Sequence, residues 1–474
     1  MREVRIDAVS LERLARLLEP ERAARLESNA MLARGILDGR VVWSVNATSS
    51  GGGVAEMLTT LLAYSRGAGV DARWLVLEGN PRFFRITKRL HNVLHGTPGD
   101  GGPLAAAERE EYELVLAGNL DTMRSRVRAG DIVLLHDPQT AGMAAGLQAI
   151  GAHVVWRCHI GRDTPTELTD MGWAFLEPYV TEAEATIFSR AAYGPRWLDR
   201  GRSWVIPPSL DPFSTKNVEL PRADVDATLR WAGLVATPGE QGSLAFARRD
   251  GSAGTVRARG NLVVAGDVVP AEVRVVMQVS RWDRLKDMAG VLAAFASGLS
   301  RLPGDVHLML VGPDVLGVSD DPEGAEVLFE CVDVWKALPA QARQRVHLVS
   351  LPMDDVDENA HLVNALQRHA TVVVQKSLVE GFGLTVTEPM WKNRPVVASA
   401  VGGIQDQILD GDSGLLLADP DDLDGFIGLV AAVLDDDDLA HRLGDAAAER
   451  VREQYLGDRH LIQYAQLFNA LLQV

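Results

Sequence analysis

The stretch Val41-Val-Trp-Ser-Val-Asn-Ala47, then Thr48-Ser-Ser-Gly-Gly-Gly53, then Val54-Ala-Glu-Met-Leu-Thr-Thr-Leu-Leu62 decides how the chain is read. The first seven residues are apolar and valine-rich, which predicts a strand. Three glycines break it. Val54, Met57, Leu58, Leu61 and Leu62 then recur at helical spacing, and Trp74 to Leu77 resumes a strand. A strand apolar at nearly every position, followed by a turn and an amphipathic helix, belongs to a parallel sheet covered on both faces.

The same pattern extends outward. A charged helical lead-in runs from about Ser10 to Arg34, and further strands are expected at Ile132 to Leu135, Val154 to Cys158 and Trp204 to Ile206. The series stops near Pro207-Pro208. Residues 221–270 are rich in Gly, Ala, Arg and Asp, with a helix expected at Ala223 to Trp231 and a hairpin at Leu244 to Arg259 around Gly251; they read as an insertion between domains. A second strand–helix series begins at Val273 to Ser280 and continues at Leu308 to Gly312, Val346 to Leu351, Thr371 to Gln375 and Pro395 to Ala398. Helices at Leu423 to Leu434, Leu439 to Tyr455 and Asp458 to Leu472 follow. Two such domains facing one another are expected to bind ligands in the cleft at the carboxyl ends of their strands.

Length and charge agree. At 474 residues the chain is long enough for about three domains, or two large ones. Its 47 Lys and Arg against 64 Asp and Glu give a net charge of −17, which argues against nucleic acid or a membrane surface as partner. Cys158 and Cys331 are the only cysteines, too few for a disulfide framework or a Cys-rich zinc site, so a reducing cytoplasm is the expected setting. Met1 to Arg40 lacks the pattern of a signal peptide. The longest apolar stretch, Gly425 to Leu434, falls short of the roughly 20 residues that span a bilayer.

Polar and glycine-rich residues gather at strand ends. The turn Thr48 to Gly53 offers backbone N–H groups and a helix start to an anion, although Glu56 replaces the third glycine of a dinucleotide fingerprint. Glu78, ending the next strand, is placed as a ribose-binding acid would be. Arg281 and Lys286 follow the strand Val273 to Ser280, where a guanidinium and an ammonium can neutralise a diphosphate. Glu380-Gly-Phe-Gly-Leu-Thr-Val-Thr-Glu388 follows another strand: Gly381 and Gly383 allow close backbone approach, and two carboxylates bracket a helix start. His136-Asp-Pro-Gln139 and His159 end two strands of the first series, suited to binding hydroxyls or moving protons. No metal-ligand set is expected; the acidic run Asp435 to Asp438 reads as a helix connection.

The Glu380-to-Glu388 segment, with Ser280-Arg281 and Lys286, resembles the donor site of retaining GT-B glycosyltransferases related to glycogen and sucrose synthases. More narrowly, Trp43 to Met57, Glu78-Gly79 with Phe83-Phe84 and Thr87-Lys88, His136 to Gln139, Trp156-Arg-Cys-His159 and Ile206-Pro-Pro-Ser-Leu-Asp-Pro212 resemble the trehalose glycosyltransferring synthase family. The resemblance implies an α/β, GT-B fold of two Rossmann-like parallel-sheet domains facing a central cleft. Residues 1–212 would be the acceptor side, with a helix of about 456–474 packing back on it; 213–272 the insertion or linker; and 273–455 the nucleotide-sugar domain. It implies transfer of glucose from a nucleoside-diphosphate glucose to free glucose, giving α,α-trehalose with no cofactor and no metal, often as a homodimer. Arg281 and Lys286 then match the diphosphate binders, Glu380 the acid on the donor sugar, Glu388 the acid on the ribose and His159 a histidine beside the donor sugar. Gly381, Phe382, Gly383 and Leu384, with Gly52 and Gly53, match the backbone loops around the donor. His136, Asp137, Gln139 and Asn46 match the acceptor side.

The sequence departs from the family pattern at Gly161, where an acid is usual and Asp163 stands nearby, at Pro389, at Leu285 and in the 221–270 segment. The nearest rival is a retaining trehalose phosphorylase, whose glucose 1-phosphate would leave Glu388 without a ribose to hold. A related glycosyltransferase with another acceptor, and a non-catalytic sugar-nucleotide sensor, would share the binding residues. A nicotinamide-dependent oxidoreductase lacks support in the glycine spacing.

Overall fold

The computed structural model describes residues 1–49, 53–239, 241–259, 262–315 and 322–473. The chain divides into two units, Met1–Leu210 with Tyr455–Val474, and Asp211–Gln454. In the first unit β1 (Arg2–Val4), β2 (Val42–Asn46), β3 (Ala72–Val76), β4 (Ile132–His136), β5 (His153–Cys158), β6 (Ala185–Phe188) and β7 (Ser203–Val205) form one sheet in the order β1-β3-β2-β4-β5-β6-β7. β1 runs antiparallel to β3; the remaining pairs are parallel.

Alternation of side chains explains the layers. Val133 and Leu135 of β4 join Val45 and Trp156 in one core, whereas Ile132 and Leu134 join Trp74 and Val155 in another. Successive residues leave opposite faces of a strand, so a strand apolar throughout has to be covered twice. Helices Pro81–Leu94, Ala106–Arg124 and Glu167–Val180 cover one face; Pro20–Ile36, Gly53–Gly67 and Gly457–Leu472 cover the other. The chain's last helix is fixed there by Arg22, which donates two hydrogen bonds of 2.6 and 2.7 Å to the buried Asp458. The lead-in expected as one helix is two, Glu12–Ala15 and Pro20–Ile36, because a proline lacks the N–H an interior turn requires but suits a helix start.

The second unit repeats the plan. β8 (Val263–Ala265), β9 (Arg274–Val279), β10 (Val306–Pro313), β11 (Val346–Leu351), β12 (Val372–Gln375), β13 (Val396–Ser399) and β14 (Leu415–Leu417) are ordered β8-β11-β10-β9-β12-β13-β14. Only β8 is antiparallel in this sheet. The stretch 213–272, read above as an insertion, lies within this unit instead. Val225, Leu229, Leu234, Phe246 and Val269 share a core with Val275, Met309 and Val373, so the segment is the cover of one sheet face, and β8 extends the sheet's edge. Within it the expected helix forms as Arg222–Ala232 and the hairpin as Ala245–Ala247 paired with Ala253–Thr255.

Both sheets have a point where the winding reverses: between β2 and β4, and between β9 and β12. In open parallel sheets ligands bind outside the carboxyl ends of the strands at that reversal.

Two outcomes follow for stability. Arg22→Ala strands the buried Asp458 carboxylate and should cost about 3 kcal/mol in urea unfolding; an unchanged midpoint would contradict the pinning of the last helix. Loss of hydration holds buried histidines below their usual 6.5: His136 down to about 3, His347, His361 and His369 to about 4, and His159 and His460 well below normal. The unfolded chain titrates near 6.5, so it binds more protons below that pH, and stability should fall steadily from about pH 6.5 towards 4. Urea midpoints that stay flat across that window would show these histidines to be charged in the fold.

Candidate active site

In the second unit the turn after β9 runs Ser280-Arg281-Trp282-Asp283 into the tight helical turn Arg284–Lys286. Asp283 organises it, one carboxylate oxygen accepting the Leu285 N–H at 2.8 Å and the other accepting from Arg281 Nη2 at 3.1 Å. The Arg281 side chain is 59% exposed. This turn is joined to the one after β12 by a buried amide. Gln278 Nε2 donates to the Lys286 carbonyl at 2.7 Å while its Oε1 accepts the Lys376 N–H at 3.2 Å, and Leu378 N–H donates to the Leu285 carbonyl at 2.8 Å. Lys286 Nζ thereby lies 2.6 Å from Glu380 Oε2, which also accepts from Ser377 Oγ at 3.2 Å. Both side chains of the pair are largely buried, 13% and 10% exposed. The ammonium carries three donors and the carboxylate about four acceptor sites.

Glu380 is followed by a turn that requires glycine. Gly383 has φ 87°, and a Cβ there would sit 3.1 Å from both the Glu380 side chain and Ile404. Helix Leu384–Trp391 starts immediately after it, the Val386 N–H donating to the Gly383 carbonyl at 2.9 Å. Phe382 is mostly buried, its carbonyl accepting from Gln407 Nε2 at 2.5 Å. Glu388, one turn on, is buried: Oε1 lies 3.3 Å from Lys216 Nζ and Oε2 accepts from Gln367 Nε2 at 3.1 Å. Behind it, Lys392 Nζ donates to Gln367 Oε1 at 2.7 Å and Asn217 Oδ1 at 3.0 Å. Burial pushes the Lys392 ammonium down to about 7, with the Glu388 charge opposing the shift. Pro389 lies inside this helix, which ends two residues later.

In the first unit the ends of β4 and β5 bring two histidines together. His136 Nδ1 and His159 Nε2 are 3.1 Å apart, with the rings stacked at 5.4 Å. Asp137, held at φ 64°, accepts the His159 N–H at 2.7 Å, and burial raises its carboxyl to about 7. Behind them Arg157 is fully buried and donates to Tyr464, to His460 Nε2 at 3.1 Å and to the Ile206 carbonyl at 3.0 Å. Loss of hydration, and after it the Arg157 charge, keeps both strand-end histidines neutral. Gln139 lies partly exposed two residues past Asp137.

Asn46 faces inward, its Oδ1 accepting from Trp74 Nε1 at 2.8 Å and its Nδ2 donating to the Thr48 carbonyl at 2.7 Å, so it shapes the start of the glycine turn. Gly53 opens the helix Gly53–Gly67, and Gly52 lies outside the described residues. The Glu78 side chain is largely exposed. The departure at Gly161 has a steric cause: a Cβ there would lie 2.0 Å from the Tyr193 ring. Asp163 pairs with Arg190.

Sequence reading missed Lys376, which bonds Asp287 and so fixes the cap of helix Met288–Ser297. Its signal is the abrupt end of an apolar strand in Lys-Ser. Gln278, Lys216, Gln367 and Lys392 carried none, because each acts on groups from other segments of the chain. Among the described residues no three His, Cys, Asp or Glu side chains converge as metal ligands would, and no helix is long and apolar enough to cross a membrane.

Residues 44–195 match the family model for the trehalose synthase N-terminal domain, and residues 267–450 that for glycosyl transferases group 1. The chain is 34% identical to a trehalose synthase of Pyrococcus horikoshii, over 92% of this chain and 91% of that one. It is 33% identical to a trehalose synthase of Rubrobacter xylanophilus, over 93% and 92%. Among solved structures, an α,α-trehalose-phosphate synthase (UDP-forming) from Burkholderia xenovorans, in complex with glucose-6-phosphate, superposes with a TM-score of 0.63 at 15% identity, covering 91% of this chain and all of that one. Two Rossmann-like units in one chain, a shared architecture with such enzymes and this level of identity converge: the chain belongs to the trehalose synthase family and is a glycosyltransferase of the GT-B fold.

Proposed function

We propose that the chain makes α,α-trehalose by transferring glucose from a nucleoside-diphosphate glucose to free glucose, with retention at the donor carbon and without a divalent metal. The observation that carries this reading is the Lys286–Glu380 pair at 2.6 Å beside a helix start at Leu384. It sets positive charge for a diphosphate and a carboxylate for sugar hydroxyls at one sheet reversal. The bond from donor C1 to the diphosphate oxygen breaks as Arg281, Lys286 and the helix N–H groups neutralise the departing charge. The glucose hydroxyl bonds to C1 from the same face, and its proton passes to the leaving phosphate oxygen. No protein base is needed. Glu380 holds donor hydroxyls, and the neutral pair His136 and His159, with Asp137 and Gln139, holds the sugars as uncharged and charged hydrogen-bond partners. Glu388 takes the ribose, which favours a nucleotide over glucose 1-phosphate.

The test is incubation of the purified protein, with chelator, with a panel of nucleoside-diphosphate glucoses plus glucose. Trehalose and released nucleoside diphosphate are expected; trehalose cleavage that needs phosphate and no nucleotide would establish the phosphorylase instead.

Two variants separate the roles of the acids. Glu380→Gln should lower kcat at least about 100-fold, the scale of one lost transition-state partner, whereas Glu388→Ala should chiefly raise donor KM. Equal, small effects from both would count against the site. Activity should also report Asp137. Its carboxyl is protonated below about 7 and ionised above, so kcat/KM for glucose should rise through that pH as the acceptor-binding carboxylate forms. Asp137→Asn should lose that limb; a limb that persists would assign it elsewhere.

A further inference from the structure

We infer that Lys216 is a donor-binding residue that forms, with Glu388, a two-point site for the ribose diol of a nucleoside diphosphate. This rests on the nucleotide donor proposed above. Lys216 belongs to the stretch that opens the second unit, far in sequence from either glutamate. Its Nζ stands 3.3 Å from Glu388 Oε1, with side chains 20% and 8% exposed, so the ammonium is the more accessible half of the pair.

The position of Lys216 is built. Asn364 Nδ2 donates to the carbonyls of Thr215 at 3.1 Å and Val218 at 2.8 Å, and Thr215 Oγ1 donates to the Ala247 carbonyl at 2.9 Å. On the other side Trp391 Nε1 donates to the Asn217 carbonyl at 3.2 Å, and Lys392 holds the Asn217 side chain at 3.0 Å. Every residue flanking Lys216 is thus tied to the helix that carries Glu388 or to its neighbours. The same Lys392 fixes the orientation of Gln367: with Oε1 committed to the ammonium at 2.7 Å, Nε2 is the group that faces Glu388. That assigns Glu388 Oε2 to the protein and leaves Oε1, beside Lys216, as the oxygen open to a ligand.

The chemistry fits a vicinal diol. Each ribose hydroxyl has one donor hydrogen and two lone pairs. A carboxylate alone can only accept from it, and an ammonium can only donate. Side by side they satisfy a hydroxyl in both capacities, and the charge-assisted bonds are the stronger kind. A buried carboxylate without that neighbour would meet the diol as an under-solvated anion.

Calorimetric titration with ADP, GDP and UDP, and then with the 2′-deoxy and 3′-deoxy forms of the tightest binder, tests this on wild type, Lys216→Met, Lys216→Gln and Lys216→Arg. The neutral variants should bind the ribonucleotide about 10-fold or more weakly, the scale of one lost charge-assisted hydrogen bond. They should also lose most of the wild-type preference over the deoxy forms, with Lys216→Arg recovering part. Neutral variants that melt as wild type does, bind the ribonucleotide as wild type does and keep its full ribose preference would overturn the inference while leaving the nucleotide donor standing. A wild-type protein that binds no nucleoside diphosphate would overturn the donor reading, and this inference with it.

Discussion

Gln278 is a fully buried amide inside β9, and the second unit's site hangs from it. A primary amide presents donor and acceptor on opposite sides, and here each side reaches a different strand's loop: Nε2 the Lys286 carbonyl, Oε1 the Lys376 N–H. Buried polar groups have to be hydrogen-bonded, so displacing either loop would orphan one end of this side chain in the sheet interior. The constraint explains why Lys286 and Glu380, distant in the chain, meet at 2.6 Å, and why they do so at the sheet's reversal.

The two units treat charge in opposite ways. At the strand ends of the second unit the candidate-site side chains are ionic and paired, Lys286 with Glu380 and Lys216 with Glu388, and each carboxylate has a further neutral partner. At those of the first unit, burial and the Arg157 charge hold two stacked histidines neutral, and Asp137 titrates near 7. The division matches the proposed transfer from a sugar diphosphate to a neutral sugar. A dianionic leaving group needs fixed positive charge, whereas an uncharged sugar needs hydrogen-bonding groups that do not carry their own solvation cost.

Much of the fold was legible because it is written locally. Strands such as β4 are apolar from Ile132 to Leu135 without a break, and only a sheet covered on both faces uses such a strand. What escaped reading was held by backbone pairing or by distant partners. β1, Arg2-Glu3-Val4, is short, exposed and charged, and it exists because its backbone pairs with β3 in the register Arg2 to Val76. The 213–272 cover was hidden because its apolar residues are scattered among Gly, Arg and Asp, and their common face appears only on the sheet. In the site the acids, glycines and cations that directly follow strands were visible in the sequence. Gln278, Gln367, Lys392 and Lys216 were not, since their roles are set by groups from other segments. Gly161 shows both sides of this: its departure from the family pattern is visible in one dimension, its cause, the Tyr193 ring, only in three.

In the proposed reaction Lys286 and Glu380 act as one unit on a sugar-diphosphate donor. A double-mutant cycle on kcat/KM for the nucleoside-diphosphate glucose, with Lys286→Met, Glu380→Gln and the double variant, measures that directly. A coupling energy above about 1 kcal/mol, the double variant losing far less than the two single losses combined, is predicted for side chains in contact. Losses that add within error would show the two residues to work independently and would contradict a shared role on the donor.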